Sequence, residues 1–307
     1  MNKPERYTSY DMPKEIQDFD TNVKQLGVGK SGKVGILDLE LQMNSAGKTI
    51  ITRQFSQVPL QIQRALYPEI SLPDMAYVYV ISSSGGILQG DRYTTDVLLK
   101  NKATAHMTTQ GATRIYGMNS NFASHVVNIT VDENCYLEYI PDQIIPYKNS
   151  RYYQKVNLNV HENSTLIYSE ILTPGRVAMG ESFDYDICYL RIFCNDQDKK
   201  TRFLENTKIE PKKQRLKDFG IFGEYGIVGT VYILTRKKDV IELENDIIKN
   251  IRIPDVSVGT SILPDESGIV IRILANKTDI ISDVIFKTIA ATRKKILEAS
   301  FSKIRKN

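Results

Sequence analysis

HVVNITVDENCYLEYI (125–140) and QKVNLNVHENSTLIYS (154–169) are two copies of one pattern, offset by 29 residues. Val127 aligns with Val156, Asn128 with Asn157, Ile129 with Leu158 and Val131 with Val160. Glu133-Asn134 repeats as Glu162-Asn163, Leu137 as Leu166 and Tyr139 as Tyr168. A weaker third copy, TDVLLKNKATAHMT (95–108), lies 32 residues upstream. There Val97 and Leu99 meet Ile129 and Val131, and Ala105 meets Leu137. Each copy reads as strand, polar turn, strand, with apolar residues alternating so that one face is buried and the other wet. A unit this short cannot bury its apolar face alone. Stacking the copies solves that problem, so the pattern predicts a mostly β chain of superhelical, solenoid-like stacked strands.

Working outward, period-two patterning predicts strands over 36–43, 49–55 and 76–82, and further strand over 181–195 and 220–235. In 181–195, Phe183, Tyr185, Ile187 and Tyr189 are expected on one face. Residues 206–218 (NTKIEPKKQRLKD) read as a polar, basic loop. Helices are expected only near the C-terminus. One is a short amphipathic stretch over 239–251. The other runs over about 279–303, with Asp279 as N-cap and Ile281, Val284, Ile285 and Ile289 on one face. Its basic tail (Arg293, Lys294, Lys295, Lys303, Arg305, Lys306) complements the helix dipole. Residues 1–32 read as a poorly defined N-terminal extension, and 33–307 as a single domain. GVGKSGKVG (27–35) has its Gly-Lys-Ser too early for a phosphate loop, so it reads as a glycine-rich turn.

The charge balance, 40 basic against 36 acidic residues, gives no footing for nucleic acid. No stretch approaches the roughly 18 apolar residues of a membrane helix, and the first residues lack the apolar run of a secretion signal. Three cysteines (Cys135, Cys188, Cys194) without CxxC spacing point to neither a disulfide framework nor structural zinc, and suit a cytoplasmic protein. The three histidines (His106, His125, His161) show no ligand spacing.

The candidate chemistry lies in turns. In SSSGGILQGDR (82–92), Gly85, Gly86 and Gly90 shape a turn that presents Asp91. In TTQGATRIYG (108–117), Thr109 and Gln110 offer hydrogen bonds to a buried turn, Gly111 permits a left-handed backbone, and Arg114 and Tyr116 follow. Pro141 and Pro146 stiffen IPDQIIPYKNSRYY (140–153), whose Tyr147 and Arg151 are of the types enriched at protein interfaces. Glu170 and Glu181 flank LTPGRVAMG (172–180), with Gly175, Arg176 and Gly180 between them. Carboxylates on such turns serve either as weak hard-ion ligands or as an acid–base pair. The local alternative is a carboxylate that caps its own turn or pairs with Arg92 or Arg176.

In order and spacing, GGILQGD (85–91), TTQGATRIY (108–116), YIPDQIIPYKNSR (139–151) and the Glu170–Glu181 block resemble successive segments of the UreD (UreH) family of urease accessory proteins. LDLELQMNSAGKT (37–49) and PLQIQRALYPE (59–69) resemble its opening, and IVIRILA (269–275) with the last helix its close. The resemblance covers about residues 33–300. It implies a non-enzymatic maturation factor that binds UreF, recruits the GTPase UreG to apo-urease and helps deliver nickel. The expected assembly is a hetero-oligomer, with a dimer of heterodimers with UreF as one form. It also implies no tightly bound cofactor and a transient nickel ion guided by Asp91 and Glu181, to which proximity in sequence adds Glu170. Two other readings remain. One is a β-solenoid carbohydrate-active enzyme using Asp91 and Glu181 as paired acids; the absence of tryptophan and of a secretion signal weighs against it. The other is a plain interaction module.

Overall fold

The copies' first strands lie side by side in one sheet and their second strands in another. The structure, a computed structural model, describes residues 12–21, 32–251 and 253–302. In chain order the strands begin with β1 (Val34–Met43), β2 (Thr49–Gln57), β3 (Leu60–Gln61), β4 (Ala76–Ser82), β5 (Arg92–Lys100) and β6 (Thr104–Thr109). Then come β7 (Thr113–Ile115), β8 (Ala123–Val131), β9 (Tyr136–Ile140), β10 (Ile144–Pro146), β11 (Arg151–Val160) and β12 (Thr165–Leu172). The last are β13 (Ile187–Asn195), β14 (Thr201–Ile209), β15 (Ile227–Leu234), β16 (Val256–Ile262) and β17 (Gly268–Ala275). The helices are α1 (Lys14–Gln17), α2 (Lys237–Asn250) and α3 (Thr278–Ile296).

One sheet has the order β14-β13-β11-β8-β5-β1-β2, the other β16-β17-β15-β12-β9-β6-β4-β3, with β7 and β10 attached beside β12. The strands of the stacked copies run parallel within each sheet. The sequence alignment of the copies is the hydrogen-bond register itself. Val97 pairs with Ile129 and Ile129 with Leu158 in one sheet. Ala105 pairs with Leu137 and Leu137 with Leu166 in the other. These side chains are fully or almost fully buried between the sheets. Each such apolar side chain contributes about 1.5–3 kcal/mol on burial, which is why one offset per coil is selected over its neighbours. On the outer face the repeated asparagines form a ladder. Asn157 Nδ2 donates to Asn128 Oδ1 at 2.7 Å, and Asn128 Nδ2 donates to Asp96 Oδ1 at 2.6 Å.

A second core lies on the other face of the longer sheet, where α2 and α3 pack through Val240, Leu243, Ile247, Ile281, Val284, Ile285 and Ile289. The predicted apolar stripe of the last helix is the buried one. The helix starts one residue earlier than expected, with Lys277 rather than Asp279 at the N-cap, and ends at Ile296, with Leu297 as C-cap and Glu298 turned to φ +52° just beyond it. Lys303, Arg305 and Lys306 lie outside the described residues, as do Gly27 and Gly29.

Three expectations need correction. The strand expected over 181–195 begins at Ile187. Phe183 and Tyr185 precede it and turn into the inter-sheet core, whereas Ile187 and Tyr189 face outward, so the four do not share a face. Residues 206–209 are not loop but the end of β14, hairpin-paired to β13. The strand expected over 220–235 begins at Ile227, because the glycines at 220, 223 and 226 keep the preceding segment in turns. On the outer face of β11 and β13, Ile16 of α1 is fully buried against Phe122, Tyr153 and Ile187, so the described part of the polar N-terminal stretch packs on the sheet. Among the described residues no helix is long and apolar enough to cross a membrane.

Candidate functional site

The inter-sheet interior is apolar along most of its length and polar at one end. Along β5, β8, β11 and β13, the inward columns pass from Val, Ile and Leu to a row of Tyr93, His125 and Gln154, and then to Tyr152 and Cys188. In the facing sheet the matching rows hold Tyr139, Tyr168 and Tyr232, then Glu170, Thr230 and Arg272. These groups form a connected layer. His125 Nε2 lies 3.0 Å from Thr95 Oγ1. Tyr152 donates to Gln154 Oε1 at 3.0 Å, and Gln154 Nε2 donates to Glu170 Oε1 at 2.6 Å. Tyr168 donates to the same oxygen at 2.6 Å. Tyr168 stacks on Tyr139 at 5.8 Å and neighbours Tyr232, whose hydroxyl donates to Glu205. At the outer edge Arg272 pairs with Glu205 and donates to Thr230 Oγ1 at 2.7 Å. At the opposite end the layer opens into a cavity of about 370 Å³ walled by Tyr93, Thr95, His125 and Tyr139, with residues 84–87 and 109–114 at its mouth.

Burial sets the electrostatics of this layer. It pushes the Glu170 carboxyl up to about 7, against the hydrogen bonds from Tyr168 and Gln154 that favour the charged form. It pushes His125 down to about 4, so the imidazole is neutral at physiological pH. The Tyr152, Tyr168 and Tyr232 hydroxyls are held protonated for the same reason.

The three predicted acids are not brought together as one ligand set. Glu170 sits inside the polar layer, 9% exposed. Asp91 is fully buried and engaged on both oxygens. Its Oδ1 accepts from the Lys33 amide at 2.8 Å. Its Oδ2 accepts from the Leu88 amide at 2.9 Å and Tyr93 Oη at 3.1 Å, with Lys33 Nζ also at 3.1 Å. The Gly90 turn, with φ +75°, therefore tucks Asp91 inward rather than presenting it. Glu181 lies in the 173–186 loop, clasped by Arg176 through Nε at 2.8 Å and through Nη2, and accepts from the Lys148 amide at 3.2 Å. Arg176 holds the Glu181 carboxyl below the usual carboxylate range. The acid pair that an enzymatic reading needs is thus split between two separate ion pairs. Among the described residues, no three His, Cys, Asp or Glu side chains gather as a metal site.

The turn motifs do converge, at the rim near the cavity mouth. A Cβ at Gly86 would meet Tyr116 Cε2 at 2.5 Å and the Arg114 carbonyl at 2.6 Å, so only glycine admits that approach. Tyr116 packs on Tyr147 at 5.0 Å, and the Arg176 guanidinium lies 4.1 Å from the Tyr147 ring. Gly175, with φ +138°, brings its backbone against the carbonyls of Pro146 and Glu181, and Gly180 closes the turn with φ +76°. Gly85 abuts the Tyr116 hydroxyl. Thr109 Oγ1 accepts from the Asp142 amide, next to Pro141, at 2.9 Å, and the Gln110 amide donates to Val80 O at 2.9 Å. Gly111 does not use the left-handed backbone that glycine permits. Arg151 donates to Asp186 at 2.7 Å and lies over Phe19, so it anchors the N-terminal segment within the chain.

Sequence reading missed Tyr152, Gln154, Tyr168, Tyr232, Glu205 and Arg272. The signal was present for Gln154, a polar residue on an inward position of a repeat strand two residues before Val156.

Comparison with known proteins follows the same boundaries. The family described as UreD urease accessory protein matches residues 33–306. Urease accessory protein UreD of Cenarchaeum symbiosum is 50% identical over 283 residues, covering 92% of this chain and 99% of its own. UreD of Photorhabdus laumondii is 36% identical over 272 residues, covering 86% and 83%. UreD 2 of Brucella canis is 34% identical over 290 residues, covering 94% and 96%.

Proposed function

Because the chain belongs to the UreD family of urease accessory proteins, we propose that it serves urease maturation as a non-catalytic scaffold that joins UreF, recruits the GTPase UreG to apo-urease and lets nickel pass through its own interior. The observation that carries this reading is the polar layer, which crosses an otherwise apolar sandwich from the cavity at Tyr93 and His125 to Glu205 and Arg272 at the far edge. Folding gains nothing from burying so many polar groups where leucine and valine would pack, so their presence suits a passage. Nickel is here the cargo. Glu170 is the interior acid suited to a transient contact: both of its donors bond Oε1, and burial makes its charge costly to keep. A single oxygen ligand among neutral hydroxyls binds weakly and releases readily, as a conduit needs. Asp91 and Glu181 are held in ion pairs with Lys33 and Arg176 near the cavity end of the passage.

The scaffold half of the reading is tested by co-purification. Tagged full-length chain co-expressed with UreF and the urease subunits is expected to recover both. Recovery of neither overturns the proposal.

A further inference from the structure

The two strand orders end in four edges, and three of them are guarded. β2 carries Arg53 and faces β1 across a bulge at Glu40–Leu41. β14 carries Arg202, Glu205 and Lys208 and faces β13 across a bulge at Cys194–Asn195. β3 is only two residues long. Charge, bulges and shortness keep a sheet edge from pairing with another chain. β16, VSVGTSI, has none of these: no charged residue, no proline and no break in its register with β17. Each of its residues is at least partly exposed, and among the described residues no backbone hydrogen bond reaches it from any strand but β17. On the helix side of this edge lies an apolar groove of about 630 Å³, lined by Ile248, Ile251, Ile253, Val256, Val258 and Thr260. Ile248 is 39% exposed, and Ile241, 53% exposed, lies two turns earlier on the same helix face. Gly259 is not left-handed, and a Cβ there would meet nothing within 4 Å. The chain by itself has no need of glycine at that position, where it weakens the strand and marks a place for another backbone to come close.

We propose that β16 pairs antiparallel with β16 of a second copy of this chain, making one continuous sheet across a two-fold axis at Gly259. The inference goes beyond the maturation reading, which asks for no contact between two copies. The strand is its own complement. Turned about Gly259, Val256 meets Ile262, Ser257 meets Ser261 and Val258 meets Thr260, so like chemistry opposes like on each face. An unrelated partner strand has no reason to match this pattern. Val256, Val258, Thr260 and Ile262 share the helix side, so the pairing closes the two apolar grooves against each other. The strand carries no charge, so the copy meets no like charge along it. β16 is about 24 Å long, and the strand with the helix layer beside it, each about 10 Å deep, presents roughly 500 Å² per copy. The pair thus covers about 1,000 Å², the size a specific interface needs.

The test is sedimentation velocity of the full-length chain over a range of concentrations. The wild type is expected to dimerise reversibly. Ser257→Lys/Ser261→Lys sets like charges directly opposite one another at exposed positions. It is expected to weaken self-association about 10-fold or more and to leave the thermal midpoint in place. Mixed with Ser257→Glu/Ser261→Glu, it is expected to recover the dimer as a mixed pair. On mild oxidation Gly259→Cys is expected to cross-link to its own copy, both alone and in the complex with UreF. Ser257→Cys, which faces Ser261, should link far less, and the wild type, whose three cysteines are buried, is the blank. A chain that stays monomeric, an association that the lysine pair leaves unchanged, or equal linking at 257 and 259 overturns the proposal. A monomeric chain whose lysine variant no longer retains UreF or apo-urease assigns the edge to a partner's strand and overturns it as well.

Discussion

Arg293 on α3 grips Glu138 on β9 through two hydrogen bonds, Nε to Oε1 at 2.7 Å and Nη2 to Oε2 at 2.8 Å, with both side chains fully buried. The same guanidinium reaches Glu69 Oε1 at 2.6 Å and the Tyr77 hydroxyl at 2.7 Å. His106 Nδ1 lies 2.6 Å from Glu138 Oε2, and Tyr136 donates to Oε1 at 2.8 Å. The last helix is therefore fixed to the middle of the longer sheet by charge as well as by its apolar stripe.

Removing the guanidinium takes away the one arginine that faces both buried acids, leaving Glu138 with His106 and Tyr136 and Glu69 with the Tyr77 hydroxyl. Arg293→Met is expected to cost about 3–5 kcal/mol in urea unfolding. Adding Glu138→Gln should recover part of the loss, since the uncompensated charge carries most of it. A single variant as stable as wild type contradicts this.

Two buried acids give opposite pH dependence. Burial raises Glu138, but Arg293 and His106 pull it further down, to about 2 against 4.5 unfolded. Its contribution is present above pH 4.5 and is lost as pH falls toward 2. Glu170, raised to about 7, favours the protonated form, so its contribution is present below pH 4.5 and is lost as pH rises through 7. Glu170→Gln should thus match wild type near pH 5 and exceed it near pH 8, by at most about 3 kcal/mol. Urea titrations at the two values check this, and a difference that does not change with pH contradicts it.

Gly86→Ala and Gly111→Ala separate close approach from mere turn composition. Alanine at 86 collides with the Arg114 carbonyl and the Tyr116 ring, and the carbonyl cannot swing aside. A cost of about 1–3 kcal/mol is expected. At 111 nothing lies within 4 Å of the added methyl group and φ is not positive, so the thermal midpoint should hardly move. Equal effects at both positions contradict the account.

The stacked coils were legible because register and sequence offset are the same quantity: Val127 aligns with Val156 in the sequence and sits beside it in the sheet. The helix stripe was legible through Ile281, Val284, Ile285 and Ile289. The polar layer was not, because its members come from strands of both sheets and from β15 and β17, outside the repeat; no local spacing links Gln154 to Glu170 across the interior or Tyr232 to Glu205. The burial of Asp91 was hidden for a related reason. A Gly-Asp turn looks alike whether the carboxylate faces solvent or a buried lysine, and Lys33, its partner, lies 58 residues earlier.

The most direct test of nickel passage is urease activation by the complex of this chain with UreF, UreG and apo-urease, comparing Glu170→Ala with wild type. With nickel limiting, the account predicts assembly unchanged and activation lower by about 10-fold or more, recovering when nickel is in excess. Activation equal to wild type at limiting nickel would contradict it.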